Sequence, residues 1–158
     1  MIYKILPDTD PLLRQVSELV NLTKVRETKA IVDKMRLTLA MHGGLGLAAV
    51  QCGILQRILI ARPDVRRNKY ITIINPAQQS VCETTESKLE GCLSLGRRVY
   101  EVNRPTEITL YCFDEHMHEQ TKTFTGWTAR IIQHELDHLN GILISDVGTL
   151  LEESNGSN

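Results

Sequence analysis

The chain has 158 residues, of which 42% are hydrophobic and 23% charged, a composition typical of a soluble globular protein. Its 18 basic and 19 acidic residues leave a net charge of −1, which argues against nucleic-acid and anionic-membrane partners. No apolar run approaches the roughly 20 residues of a membrane span. The first seven residues lack the long apolar region of a signal peptide, so the four cysteines are expected to be free thiols of a cytoplasmic protein.

Helical patterns dominate the N-terminal part of the chain. After a turn around residues 8–11, apolar residues between Leu12 and Val20 predict a short amphipathic segment. A longer helix is predicted from about Thr23 to His42, because apolar residues recur there at intervals of three and four. Glycines end this helix and begin the apolar segment 44–51, where they allow another backbone to approach closely.

Strand patterns follow in the middle of the chain. The predicted strands are 57–61, 70–75, 98–102, 107–113, 120–124 and 142–144, with Pro76 closing the second. Residues 79–89 fit either a strand or a loop. This order predicts an α+β fold, with N-terminal helices and small antiparallel or mixed sheets packed around one buried C-terminal helix. We expect a single domain over residues 1–147 and a polar, flexible tail over 148–158.

The predicted buried helix carries the most informative motif of the chain. Thr125 suits its N-cap and Gly141 its C′ position, and the apolar residues between them are Trp127, Ile131, Ile132, Leu136 and Leu139. His134 and His138 lie about one turn apart, so both imidazoles fall on one face and can bind one metal ion. Glu135 lies beside them and is placed to act as a general base. The alternative is two core histidines bonded to the backbone.

Two histidines do not complete a catalytic metal site, which usually has three protein ligands. Cys92 is the best candidate for the third, because it lies in a glycine-flanked loop and a thiolate binds borderline metals strongly. The other three cysteines are better explained as small buried hydrophobes. An ion pair between Arg104 and Asp137 is expected to orient a ligand histidine, with two solvated charges as the alternative.

Three segments together resemble the signature motifs of peptide deformylases. They are 44–51 (GLGLAAVQ), 90–94 (EGCLS) and 133–139 (QHELDHL), in that family's order and at similar spacing, and the resemblance spans residues 2–146. The HExxH pattern of residues 134–138 alone occurs in many unrelated metalloproteases, whereas the three motifs together are highly specific. The resemblance implies a metallohydrolase that removes the formyl group from formyl-methionyl peptides of nascent proteins and releases formate.

The resemblance also implies a role for each matching residue. One divalent ion, Fe(2+) in cells with zinc, nickel or cobalt also accepted, would be bound by Cys92, His134 and His138. Glu135 would be the general acid and base, while the Gln51 amide and the backbone N–H of Leu93 would stabilise the oxyanion. The substrate backbone would pair as an added strand with Leu45, Gly46 and Gly91. The apolar lining for methionine is expected to include Leu45, Leu93, Ile131 and Trp127.

The chain departs from the family pattern at three places. Val50 and Gly96 stand where family members often have proline, which puts catalytic efficiency more than reaction type in question. The segment after Asp146 contains no lysine or arginine, which argues against docking on the ribosome through a basic C-terminal helix. This short end resembles divergent or phage-borne members. We expect a monomer in the cytoplasm of a bacterial or phage-infected cell.

Two other functions remain open at the level of sequence. A zincin-type metalloendopeptidase needs a third ligand downstream of His138, where the candidates are Asp146, Glu152 and Glu153. A catalytically weak formyl-peptide binding protein is the other alternative. The presence of both Glu135 and Gln51 argues against it, because binding alone needs no general base.

Overall fold

The computed structural model describes residues 1–153 and contains eight β-strands and three α-helices in that range. The strands are β1 Gly46–Ala48, β2 Ile58–Ala61, β3 Ile71–Val81, β4 Thr85–Glu90, β5 Arg98–Pro105, β6 Glu107–Phe113, β7 Glu119–Thr125 and β8 Gly148–Glu153. The helices are α1 Val25–His42, α2 Gly126–Leu139 and α3 Ile144–Val147, with 3-10 turns at Pro11–Arg14, Ala49–Cys52 and Leu93–Leu95. None of the helices within these residues is long and apolar enough to cross a membrane.

The strands form two sheets, and the predicted α+β class is confirmed. One sheet has five strands in the order β1-β2-β3-β6-β7, and the other has three in the order β4-β5-β8. Every pairing between these strands is antiparallel.

Strand β2 shows why the five-stranded sheet is covered on both faces. Ile58 and Ile60 pack with α1 in a cluster that we call the α1-side core, which also contains Val32, Met35, Leu39 and Ile74. Leu59 and Ala61 point the other way into the α2-side core, which contains Ile73, Ile108, Leu110, Ala129, Ile132 and Leu139. Side chains alternate between the two faces of a strand, so an uninterrupted apolar run is what a strand buried on both sides requires.

The N-terminal part of the prediction is partly wrong. Helix α1 forms close to its predicted limits and ends at Gly43, whose φ of 73° lets its N–H return to the Leu39 carbonyl. The segment predicted as amphipathic contains only the 3-10 turn Pro11–Arg14. Beyond it, the N–H groups of Ser17 and Glu18 donate to the carbonyls of Leu139 and Leu55, so this backbone pairs with distant segments.

Three strand predictions also need correction. Pro76 does not close the second strand, because a register shift between Ile74 and Ala77 lets β3 continue to Val81. Residues 142–144 do not form a strand; α3 begins at Ile144, and the Asp146 carboxylate accepts from the Leu143 N–H at 2.8 Å. Residues 148–153 are not a flexible tail, since they form β8 and pair with β5. The remainder of the predicted tail, 154–158, lies outside the described residues.

Candidate active site

Helix α2 places the HExxH motif between the two sheets. Thr125 occupies the N-cap position without a side-chain cap bond, Asn140 is the C-cap, and Gly141 follows with a φ of 73°. The helix packs on β1 and β2, and His134, Glu135 and His138 are all buried. The predicted helix is therefore confirmed, and its polar groups need partners inside the protein.

Cys92 completes a cluster of three potential metal ligands. The donor atoms of Cys92, His134 and His138 lie within 4.8 Å of one another, and the Cys92 sulfur is 3.3 Å from His138 Nε2. It is the one such cluster among the side chains of residues 1–151. One sulfur and two imidazole nitrogens suit zinc or iron, so the residues present fit the ion that the sequence predicts.

The two histidines differ in their protonation in the protein without metal. Burial lowers the pKa of His138 well below its usual value, which leaves the neutral imidazole that binds metals. Burial also acts to lower the pKa of His134, but hydrogen bonds with Cys92 and Glu90 raise it to about 10. Metal binding must therefore displace a proton from His134.

Glu135 lies against the backbone of β1. A Cβ atom placed on Gly46 would lie 2.5 Å from Glu135 Oε1 and 2.9 Å from Ile131 Cγ2, so a larger residue here would displace the Glu135 or the Ile131 side chain. Glu135 Oε2 is buried and has no hydrogen-bond partner among the described residues. Burial raises the pKa of this carboxyl to about 7. A carboxyl group that titrates near neutrality beside a cavity can both accept and return a proton.

The amide of Gln51 is held in one orientation. Its Oε1 accepts from the Ala48 N–H at 2.9 Å, and its Nε2 donates to Ser94 Oγ at 3.2 Å and contacts the Cys92 sulfur at 3.6 Å. Leu93 begins a 3-10 turn, so its N–H has no acceptor within that turn. The two predicted oxyanion donors thus lie on separate 3-10 turns, and both are next to Cys92.

A buried ion network lies behind His134. Glu90 accepts from His134 Nδ1 at 2.9 Å, from Arg104 Nε at 2.6 Å and from Arg130 Nη1 at 2.7 Å. Burial acts to raise the pKa of Glu90, but the hydrogen bonds from His134 and Arg104 hold it at about 2. The predicted Arg104–Asp137 pair is formed, at 2.9 Å. The carboxylate that contacts the ligand histidine, however, is Glu90, which Arg104 also holds.

A cavity of about 370 Å³ opens beside these groups. Its lining includes the predicted substrate residues Leu45, Gly46, Gly91 and Ile131, together with Gln51, Cys92, Leu93, His134 and Glu135. Arg104, Asp137 and His138 are not among the residues that line it. Leu89 and Trp127 also line the cavity and are half exposed, at 54% and 41%. The cavity is thus apolar at its mouth and polar beside the metal ligands.

Three residues that shape this site were given no role from the sequence: Glu90, Ser94 and Arg130. Glu90 stands two positions before Cys92, and Arg130 stands one helical turn before His134 on an apolar helix. A charged residue at a buried position requires a partner, so Glu90 and Arg130 could have indicated a buried ion pair. Ser94 gave no such signal, because a serine in a glycine-flanked loop is ordinary.

Comparison with known proteins gives one consistent result. A family description, "Polypeptide deformylase", matches residues 2–153. The peptide deformylase of Rickettsia typhi is 38% identical over 154 residues, covering 92% of this chain and 86% of that protein. The crystal structure of peptide deformylase from Thermotoga maritima superposes with a TM-score of 0.88 at 33% identity, covering 93% of this chain and 97% of that one. The Acinetobacter baumannii enzyme bound to Met-Ala-Ser gives 0.87 at 26% identity, covering 93% and 98%.

Proposed function

Because the chain belongs to the polypeptide deformylase family, we propose that it hydrolyses the formyl group from the N-terminal formyl-methionine of nascent polypeptides and releases formate. One observation carries the proposal. Cys92 and His134, the carboxyl of Glu135 and the amide of Gln51 line a single cavity, and the third donor, His138, lies within 4.8 Å of the other two. An amide hydrolase needs these elements together: a metal site, a proton carrier and an oxyanion donor.

Cys92, His134 and His138 would hold one divalent ion, and we propose that it is Fe(2+) in cells, with zinc, nickel or cobalt as substitutes. Such an ion lowers the pKa of water to about 7 and so makes a nucleophile available at neutral pH. Glu90, Arg104 and Asp137 would keep the His134 ring oriented, since Glu90 contacts its Nδ1 and leaves Nε2 for the ion.

Glu135 would move the proton twice. It first accepts a proton from water, whose oxygen attacks the formyl carbon. It then delivers that proton to the amine nitrogen as the C–N bond breaks, which leaves formate and a free N-terminal amine. Its unpartnered Oε2 and a pKa of about 7 support both transfers.

Two donors would stabilise the negative charge on the formyl oxygen. These are Gln51 Nε2, which the Ala48 and Ser94 contacts hold in place, and the N–H of Leu93. One such donor is typically worth about 10²–10³ in rate. Leu45, Gly46 and Gly91 would pair with the substrate backbone, and Ile131 would contact the methionine side chain.

The geometry does not favour an endopeptidase of the zincin type. Such an enzyme takes its third ligand downstream of the motif, whereas the third donor here is Cys92, upstream of α2. Asp146 is engaged elsewhere, with Arg14 and with the N–H of Leu143.

We further propose that the protein acts as a monomer on nascent chains in the cytoplasm of a bacterial or phage-infected cell.

The decisive experiment measures formate release from N-formyl-Met-Ala-Ser by anaerobically purified, Fe(2+)-loaded protein, beside Glu135→Gln. The wild type should release formate, and the variant should bind the same amount of metal but lose about 10²–10⁴ in kcat. Cys92→Ala should lose the metal itself. A wild-type protein that binds metal and peptide but releases no formate would refute the proposal and leave a formyl-peptide binding protein.

A further inference from the structure

The N-terminal segment of residues 3–8, which we call the strap, joins the two loops that carry the proposed oxyanion donors. The N–H of Leu6 donates to the carbonyl of Gln51 at 2.8 Å, and the N–H of Asp8 donates to the carbonyl of Ser94 at 2.8 Å. Gln51 and Ser94 belong to separate 3-10 turns. The strap is thus bonded on one side to the residue whose amide would bind the oxyanion, and on the other to the residue after Leu93.

The spacing of these two bonds is set by the chain itself. Leu6 and Asp8 are two residues apart, so the chain itself limits the distance between their N–H groups to at most about 7 Å. Pro7 lies between them and has a restricted φ, which limits the freedom of this segment. The two turns are therefore held at a distance that the strap determines.

One ion pair fixes the strap to the second turn. Arg98 Nη2 lies 2.7 Å from Asp8 Oδ2, while Arg98 Nε donates to the Leu95 carbonyl at 3.0 Å. Leu95 is the last residue of the turn that begins at Leu93. Arg98 therefore holds Asp8 and that turn together through one guanidinium group.

We propose that Asp8 and Arg98 are positioning residues that set the separation between the Gln51 amide and the Leu93 N–H. The inference rests on the proposed function, because those two groups matter only if an oxyanion forms between them. Neither Asp8 nor Arg98 lines the cavity, so both act through the strap and the turn. Oxyanion donors stabilise charge that appears in the transition state, so misplacing them lowers kcat and leaves KM nearly unchanged.

A second ion pair farther along the N-terminal segment provides a matched control. Arg14 pairs with Asp146 of α3, and neither residue lines the cavity. If ion pairs of this segment only add stability, Arg14→Ala and Arg98→Ala should have similar effects. If the Asp8 pair positions the donors, only its loss should change kcat.

The test compares Asp8→Ala, Arg98→Ala, the double variant and Arg14→Ala, all as Fe(2+)-loaded protein, in kcat, KM, metal content and melting temperature. Asp8→Ala and Arg98→Ala should each lower kcat about 10-fold, less than the loss of a whole donor. KM should stay within about 2-fold, with metal content unchanged. The double variant should be no worse than the worse single variant, because both remove one interaction. Asp8→Asn, which keeps a hydrogen-bond acceptor, should recover part of kcat.

Several results would overturn the inference. An unchanged kcat in Asp8→Ala would do so, as would an equal loss of kcat in Arg14→Ala, or a loss that follows metal content. If Asp8→Ala does not fold, Asp8→Asn and Arg98→Lys decide the question by the same criteria. A wild-type protein without formate release would instead refute the proposed function, and the inference with it.

Discussion

The two faces of the five-stranded sheet are both covered by buried apolar side chains but differ in chemistry. On one face, the α1-side core joins Val32, Met35 and Leu39 to β2 through apolar contacts. On the other, the α2-side core has more buried aliphatic side chains and also lies beside Glu90, Arg104, Arg130, His134 and Glu135, each at most 9% exposed. The apolar face stabilises the sheet. The polar face also contains buried charged side chains, whose desolvation is unfavourable, beside the proposed site of reaction.

The free-energy cost of burying charges on the α2 side is partly offset, because nearly every charged group has a hydrogen-bond partner. Glu90 is bonded to two guanidinium groups, and Arg130 also donates to the carbonyls of Val102 and Glu86. Desolvating several charges is expensive, and good hydrogen-bond geometry offsets much of that cost. Glu135 is the exception, with one buried oxygen unpartnered among the described residues. We therefore expect removal of a buried charge to affect stability and metal binding on the α2 side. On the α1 side, we expect only a change of side-chain volume to lower stability.

The largest effect is expected from removing the central charge on the α2 side. Glu90→Ala leaves Arg104 and Arg130 buried at 6% and 5% exposure and His134 Nδ1 without its acceptor. Breaking a buried pair in this way costs about 3–5 kcal/mol of unfolding free energy. Loss of the group that orients a ligand histidine also weakens metal binding about 10–100-fold. Urea denaturation and metal titration measure the two effects.

The matched control for this prediction is Glu86→Ala on the same strand. The Glu86 side chain is half exposed and pairs with Lys88, so its loss should change the free energy of unfolding by less than about 0.5 kcal/mol. If Glu90→Ala is no less stable than Glu86→Ala, the buried network does not contribute to the free energy of unfolding.

The α1 side should respond to a change of volume without loss of function. Met35 is fully buried, so Met35→Ala creates a cavity and lowers the free energy of unfolding by about 2–5 kcal/mol. Its kcat and metal affinity should stay at wild-type values below the melting temperature. Met41→Ala, on the same helix at 74% exposure, is the control and should leave stability nearly unchanged. A drop in kcat for Met35→Ala would mean that the two faces are coupled.

This division also explains how much could be predicted from sequence. Local periodicity was sufficient for α1, for α2 and for β6, and chemical spacing was sufficient to propose Cys92, His134 and His138 as one cluster. Periodicity is read within a single helix or strand, and the ligand motif consists of residue types that commonly bind metals. The pairing of Gly148–Glu153 with β5 was missed because strand pairing between distant segments leaves little trace in a short polar sequence.

The ion network was missed for a related reason. Glu90, Arg104 and Arg130 come from β4, β5 and α2, so their meeting depends on how three elements pack. Sequence reasoning found the Arg104–Asp137 pair, but it did not identify Glu90 as the carboxylate that contacts His134. The predicted amphipathic segment included Val16, which is 63% exposed. The N–H groups of Ser17 and Glu18 that follow it donate to distant carbonyls, so this backbone does not form a helix.

The smallest expected effects come from two Ile→Val variants, one on each face, which change packing without changing charge. Ile60 belongs to the α1-side core and Ile73 to the α2-side core, and both are almost fully buried on neighbouring strands. Each Ile→Val change removes one methylene, so each should cost about 0.5–1.5 kcal/mol of unfolding free energy. If charge alone distinguishes the faces, kcat should be unchanged in both variants. A tenfold lower kcat in Ile73→Val alone would show instead that packing beneath α2 also sets the geometry of its histidines.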